Sequence, residues 1–248
     1  MRSTEEILGM KSKGEKVSVV TAYDAAFAAI AEAAGVDQIL VGDSLANVLL
    51  GLKSTSEIGM TEMEIFTAAV HRGAPETHII ADMPYLSDKT PALAVKNAKR
   101  LLKCGASSVK LEGAKLAVIS ALKAEGIAVM GHLGLLPQTA TSFKQCGRSE
   151  EEASRIFEEA KELDELGIYA FVLEHIPSEL GEKISKAVRA VTIGIGAGNA
   201  TDGQVLVMHD LLRMHNKKLP PFATPQANLY EAAKLGFEKY IESVKHLR

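Results

Sequence analysis

The stretch His78-Ile79-Ile80-Ala81-Asp82-Met83-Pro84, the amphipathic segment 91–103 after it, and then Ser108-Val109-Lys110-Leu111-Glu112-Gly113 read as strand, helix, strand. The first run is largely apolar without strict alternation, as a strand covered on both faces requires, the second alternates polar with apolar residues at the strand period of two, and both stop at Gly, Pro or polar residues. The segment between them repeats its apolar residues every three to four positions. Outward from this unit, the same alternation continues in both directions. Strands are expected at 17–22, 38–41, 78–81, 108–111, 128–131, 170–173, 192–195 and 205–208. Helices are expected at 25–34, 62–72, 91–103, 116–124, 150–166, 179–190 and 228–244, and one more over 3–13 precedes the first strand. Eight strands in 248 residues, with no Pro/Gly/Ser-rich linker, predict an α/β fold of the (β/α)8 TIM-barrel type. The chain is expected to be a single domain over 1–248 with an extra N-terminal helix. An open doubly wound sheet is the competing architecture, because the seventh-to-eighth connection is short for a full helix.

Composition narrows the function. Of the residues, 47% are hydrophobic and 24% charged, with 28 Lys plus Arg against 31 Asp plus Glu and a net charge of −3. No basic run exceeds Asn216-Lys217-Lys218, so no nucleic-acid partner is expected. No stretch approaches the roughly 20 apolar residues that cross a bilayer, and Met1-Arg2-Ser3-Thr4-Glu5-Glu6 is too acidic for a signal peptide. No membrane partner and a cytoplasmic location are therefore expected. Cys104 and Cys146 are far apart and outside any Cys-x-x-Cys pair, which predicts reduced thiols.

The residues that follow the strands carry the chemistry, because in a parallel barrel all of them meet on one rim. They are Gly42-Asp43-Ser44, Asp82-Met83-Pro84, Lys110-Leu111-Glu112-Gly113, His132, Glu174-His175 and Gly196-Ala197-Gly198-Asn199. Singly, Asp43 or Asp82 reads equally well as a helix cap or a turn anchor. Together, Asp43, Asp82 and Glu112 would repel one another without a cation, and all-oxygen ligands suit magnesium better than zinc. The competing reading is a salt-bridge network with Lys110, which balances only one negative charge. Lys110 and Glu112 lie two apart on a strand, so both point into the mouth, where the lysine can meet an anionic substrate. Glu174, on a separate strand, is a candidate general base or an ordinary rim ion pair. His132 is a candidate to orient a substrate oxygen or a satisfied structural histidine. His71, His78, His175, His209 and His215 lack metal-like spacing and are read as non-catalytic. Gly194-Ile195-Gly196-Ala197-Gly198 lacks the last glycine of a dinucleotide fingerprint, which favours a tight barrel loop over NAD binding.

Seven strings occur in register along residues 16–222: Thr21-Ala22-Tyr23-Asp24, Val41-Gly42-Asp43-Ser44-Leu45, Ala81-Asp82-Met83-Pro84, Val109-Lys110-Leu111-Glu112-Gly113, Gly131-His132-Leu133-Gly134-Leu135, Gly194-Ile195-Gly196-Ala197-Gly198-Asn199 and Asp202-Gly203-Gln204. In these the sequence resembles the ketopantoate (3-methyl-2-oxobutanoate) hydroxymethyltransferase family of pantothenate and coenzyme A biosynthesis. The resemblance implies a (β/α)8 barrel that transfers a hydroxymethyl group from 5,10-methylenetetrahydrofolate, or a related pterin, to 3-methyl-2-oxobutanoate. The product would be 2-dehydropantoate, formed through a magnesium-stabilised enolate. It implies Mg2+ held by Asp43 and Asp82, with Glu112 direct or through water. It implies substrate contacts from Ser44 and Lys110, Glu174 as proton acceptor, and a homo-oligomer, typically a decamer; Asp43, Asp82 and His132 are also expected to contact the substrate. The sequence departs from the family at Ala46, where glycine is common, in a shortened segment 138–147, and at Phe222-Ala223-Thr224-Pro225-Gln226. Two alternatives stand beside this reading: a carbon–carbon lyase or mutase of the phosphoenolpyruvate/pyruvate barrels, and a non-catalytic paralogue that binds a 2-oxo acid.

Overall fold

A computed structural model describes residues 1–247. In chain order the elements are α1 (Thr4–Ser12), β1 (Val17–Thr21), α2 (Ala25–Ala33), β2 (Gln38–Val41), α3 (Leu45–Val48), α4 (Met60–Gly73), β3 (His78–Asp82), α5 (Pro91–Lys103), β4 (Ser108–Lys110), α6 (Leu116–Ala124), β5 (Val129–Gly134), α7 (Glu150–Glu165), β6 (Ala170–Glu174), α8 (Ser178–Ala187), β7 (Val191–Ile195), β8 (Gly203–Leu206), α9 (Met208–Leu211) and α10 (Leu229–Lys245). The eight strands close into a barrel in sequence order. This is the (β/α)8 architecture, and the open-sheet alternative does not occur. Each of the seven neighbouring pairs from β1 to β8 is parallel.

The helices begin where the sequence supplies a cap. Ser3 and Glu6 exchange the two bonds of a capping box at α1, and Asp24, Thr90 and Ser149 accept a main-chain N–H at the starts of α2, α5 and α7. Pro91 opens α5, where a missing N–H costs nothing. The barrel closes where Gly203 has no side chain: a Cβ there would lie 2.3 Å from the Val17 carbonyl oxygen.

Alternate residues of the strands share one buried cluster: Val17 and Val19, Leu40, Ile80, Met130, Ala170 and Val172, Val191 and Ile193, and Val205. Ile7 and Met10 of α1 join it, so the extra helix contributes to the same core. At the N-terminal end of β2, β3 and β4 the inward positions turn polar. His78 Nε2 lies 3.0 Å from Ser108 Oγ, which lies 3.0 Å from the Tyr169 hydroxyl, to which Gln38 donates at 3.2 Å. By the period of two, Asp82, Lys110, His132 and Glu174 continue the inward rows toward the opposite, C-terminal end.

Several element ends differ from the sequence expectation. β5 was expected over 128–131 and runs to Gly134, so His132 is a strand residue and not the one after it. β8 was expected over 205–208 and lies at Gly203–Leu206, because Gly203 and Gln204 pair with Ile193 and Gly194 while Met208 starts α9. α8 was expected to reach 190 and stops at Ala187; Val188 is extended, and the next two N–H groups donate to Asp164 Oδ1 at 2.8 and 2.7 Å.

The chain divides into two compact units, Met1–Val205 and the residues from Leu206 onward. The first carries every candidate site residue. The second carries α10, in which Asn228 caps the first turn and no residue is buried.

Candidate active site

Asp82 closes β3 directly beside Lys110, the last residue of β4, and the two side chains form an ion pair at 2.6 Å. Both are almost wholly buried, with Asp82 at 3% and Lys110 at 5% exposure. Asp82 Oδ2 also accepts the Asp43 main-chain N–H at 2.9 Å, which ties the loop after β2 to the end of β3. Gly42 precedes it for want of room: a Cβ there would meet Ser44 Oγ at 2.9 Å. Ser44 Oγ lies 2.9 Å from the hydroxyl of Tyr23, a fully buried phenol that burial holds well above its ordinary pKa and therefore neutral.

One lysine thus faces three buried carboxylates. The salt-bridge reading is realised for Asp82 alone, and the surplus charge appears in the other two groups. Burial, with Asp82 adjacent, pushes Asp43 up to about 7; burial likewise pushes Glu112 up to about 8, against the pull of Lys110. Burial on its own would lower the Lys110 ammonium, but Asp82, Asp43 and Glu112 raise it above its ordinary value and keep it charged.

The other arc of the mouth is built by β5 and β6. Gly134 pairs with Glu174, and at φ +92 it leaves room that a Cβ, 2.3 Å from the Glu174 carbonyl oxygen, would fill. Leu135 N–H donates to that oxygen at 2.9 Å. Immediately after Glu174, His175 takes a left-handed φ of 49°, a conformation that costs a non-glycine residue about 1 kcal/mol. Its N–H donates to the Ile195 carbonyl at 2.8 Å, which fixes where β6 ends. His132 lies inside, with Nε2 3.2 Å from Glu174 Oε2 and Nδ1 3.8 Å from Glu112 Oε1. Burial, with Lys110 nearby, lowers its pKa, so the imidazole is neutral.

The seven candidate site residues therefore lie at this end of the barrel, in two groups. Asp43, Ser44, Asp82, Lys110 and Glu112 come from β2, β3 and β4; His132 and Glu174 come from β5 and β6. Two members were missed. Tyr23 stands in the string Thr-Ala-Tyr-Asp directly after β1, and its strand-end place was the available signal. Gln138, in the β5–α7 connection, donates through Nε2 to Asp43 Oδ2 at 2.7 Å and to the Met83 carbonyl at 3.0 Å, and through its main-chain N–H to Glu112 Oε2 at 3.2 Å. No periodicity marks it.

A hard divalent cation fits the first group. The donors are all oxygen, the charge is in surplus, and Asp82 Oδ1 is buried with no hydrogen bond, only the Lys110 ion pair. Among the described residues no three Asp, Glu, His or Cys side chains are gathered around one metal position. Asp43 and Asp82 are the candidate donors, and the Glu112 carboxylate accepts the Gln138 N–H. Cys104 and Cys146 are both free.

The family model of ketopantoate hydroxymethyltransferase matches residues 2–248. The chain belongs to the ketopantoate hydroxymethyltransferase family. Relatives named 3-methyl-2-oxobutanoate hydroxymethyltransferase include that of Desulfotalea psychrophila, 45% identical over 99% of this chain and 91% of its own length. That of Moorella thermoacetica is 46% identical over 97% and 92%. Family membership makes this chain an enzyme, a hydroxymethyltransferase of pantothenate biosynthesis. Among solved structures, phosphoenolpyruvate phosphomutase from Streptomyces platensis subsp. rosaceus superposes with a TM-score of 0.68 over 100% of this chain and 92% of its own, at 12% identity. At that identity the likeness speaks for the barrel alone, so the mutase alternative gains no support in chemistry.

Proposed function

We propose that this ketopantoate hydroxymethyltransferase family member takes 3-methyl-2-oxobutanoate as acceptor and 5,10-methylenetetrahydrofolate, or a related pterin, as one-carbon donor, and releases 2-dehydropantoate. One observation carries the reading: a cation-ready, lysine-bearing arc and a carboxylate–histidine arc face one mouth, with Lys110 paired to Asp82 and Glu174 beside His132. Held by Asp43 and Asp82, with Glu112 direct or through water, Mg2+ would withdraw charge from the 2-oxo acid and favour its enolate. Lys110 and the Ser44 hydroxyl hold the substrate's anionic end, and His132 orients a substrate oxygen. Glu174 takes the C3 proton, leaving the carbon nucleophile that attacks the one-carbon unit; water then completes the hydroxymethyl group as tetrahydrofolate leaves. His132, being neutral, can donate to Glu174 without competing for that proton.

All these side chains lie within Met1–Val205, and the chain is proposed to act as one catalytic domain. No helix among the described residues is long and apolar enough to cross a membrane, and we place the enzyme in the cytoplasm. We also propose a homo-oligomer, possibly a decamer. In its support, α10 leaves Phe237, Tyr240, Ile241 and Val244 exposed, and Ala233, Phe237, Tyr240 and Val244 repeat at the four-three-four spacing that a second helix of the same kind accepts. Light scattering should give a mass several times 26.5 kDa, lowered in F237E; a parent protein of monomer mass would contradict the assembly.

The test of the reaction is product formation from 3-methyl-2-oxobutanoate, methylenetetrahydrofolate and Mg2+, repeated with pyruvate and oxaloacetate. Turnover restricted to the first acceptor and dependent on both co-reactants is expected. Cleavage or rearrangement of the other acids without the folate would favour the lyase or mutase reading, and no turnover of any acid would favour the non-catalytic one.

A further inference from the structure

Gln138 spends three donors on three successive strand ends. One Nε2 hydrogen goes to Asp43 Oδ2 after β2, the other to the Met83 carbonyl after β3, and the main-chain N–H to Glu112 after β4. Both hydrogens of the amide are used, so its plane is fixed between Asp43 and Met83. We propose that Gln138 is a positioning residue of the reaction, which holds the Asp43 carboxylate in its cation-binding orientation and pins the β5–α7 connection across the metal-side arc. The inference rests on the functional reading above.

The reasoning is geometric. Asp43 has two oxygens, and a donor fixed on Oδ2 selects how the other is presented; without it the carboxylate is free to rotate about its last bond. The Asp43 main chain is already held by Asp82 Oδ2, so Gln138 removes the remaining freedom of the side chain. The same contacts tie the connection between residues 134 and 150 to the metal-side arc, because its partners are Asp43, Met83 and Glu112 and not its own helix. Orientation of a metal-binding carboxylate by an outer hydrogen bond commonly changes metal affinity 10- to 100-fold. The neighbouring half of the same connection is tied differently, by Cys146 N–H to the His175 carbonyl at 3.0 Å and by Gly147 N–H to Glu152 Oε2 at 2.7 Å. Gln138 is therefore the link between this connection and the acidic arc.

Gln138→Met keeps length and bulk, deletes both side-chain donors and leaves the main-chain N–H to Glu112 in place. Gln138→Asn keeps the amide but falls one methylene short, and carries the same test should the first variant not fold. The probe is Mn2+ alone, titrated calorimetrically into the full chain, together with amide hydrogen–deuterium exchange of residues 135–149. We expect Mn2+ affinity to fall about 10-fold and the amides of that segment to exchange faster. Unchanged Mn2+ affinity overturns the proposal whether or not exchange quickens, since Gln138 would then only fasten a loop. A parent protein that binds no Mn2+ overturns the metal reading along with it, and so separates the two failures.

Discussion

Three carboxylates share one cation at the mouth of the barrel, and Asp43 records the imbalance. Its folded pKa of about 7 and that of Glu112, about 8, lie above those of free carboxyls. Each group therefore contributes stability that is complete below about pH 4 and is lost as the pH rises through about 7 and about 8. Without metal, the melting temperature should fall between pH 6 and pH 8.5, and added Mg2+ should recover more of it at pH 8.5 than at pH 6. Asp43→Asn should flatten the metal-free decline, raise stability at pH 8 by about 1–3 kcal/mol, and abolish the Mg2+ effect. Calorimetric melts of both proteins across that range check all three. At this scale the sequence was informative where chemistry sits at a strand end. Asp43, Asp82, Lys110 and Glu112 could be picked out because position and residue type coincide there. Gln138 could not, because a loop has no period and a neutral amide announces no charge.

The elements were legible for a different reason. Parallel strands buried on both faces need runs such as Ile79-Ile80-Ala81 and Phe171-Val172-Leu173, and few other structures tolerate them. What escaped was where elements start and stop, since that is set by neighbours distant in sequence: Glu174 for β5, Ile193 and Gly194 for β8, Asp164 for α8. Gly134 is the clearest case. The sequence reading ends the strand at residue 131, yet Gly134 lengthens β5 by letting it approach the Glu174 carbonyl. Gly134→Ala should cost more than about 2 kcal/mol, from the left-handed backbone and the displaced carbonyl together. The displacement falls on Glu174, so activity should drop beyond what the loss of folded protein explains. A chemical denaturation curve beside a specific-activity measurement on the folded fraction checks this; a variant as stable and active as the parent would show that the approach is slack.

At the scale of the whole barrel, the strand order divides the work. β2, β3 and β4 supply the acidic, lysine-bearing arc, and β5 and β6 supply Glu174 with His132, so binding and proton abstraction rest on different elements. The division was implicit in the sequence, because strand order equals chain order in this fold. The reach of His132 to both Glu174 and Glu112 was not, because it needs β5 to continue inward past its expected end. If the arcs are separate in function, they must come apart by mutation. Glu174→Gln is close in shape and a very poor base, so it should keep Mg2+-dependent binding of 3-methyl-2-oxobutanoate within about threefold while its exchange of the C3 proton falls by at least about 100-fold. Proton NMR in deuterium oxide follows that exchange without any folate and isolates the first chemical step. Loss of exchange with binding retained is the predicted result, and exchange at the parent rate in Glu174→Gln would contradict the assignment of Glu174 as the base.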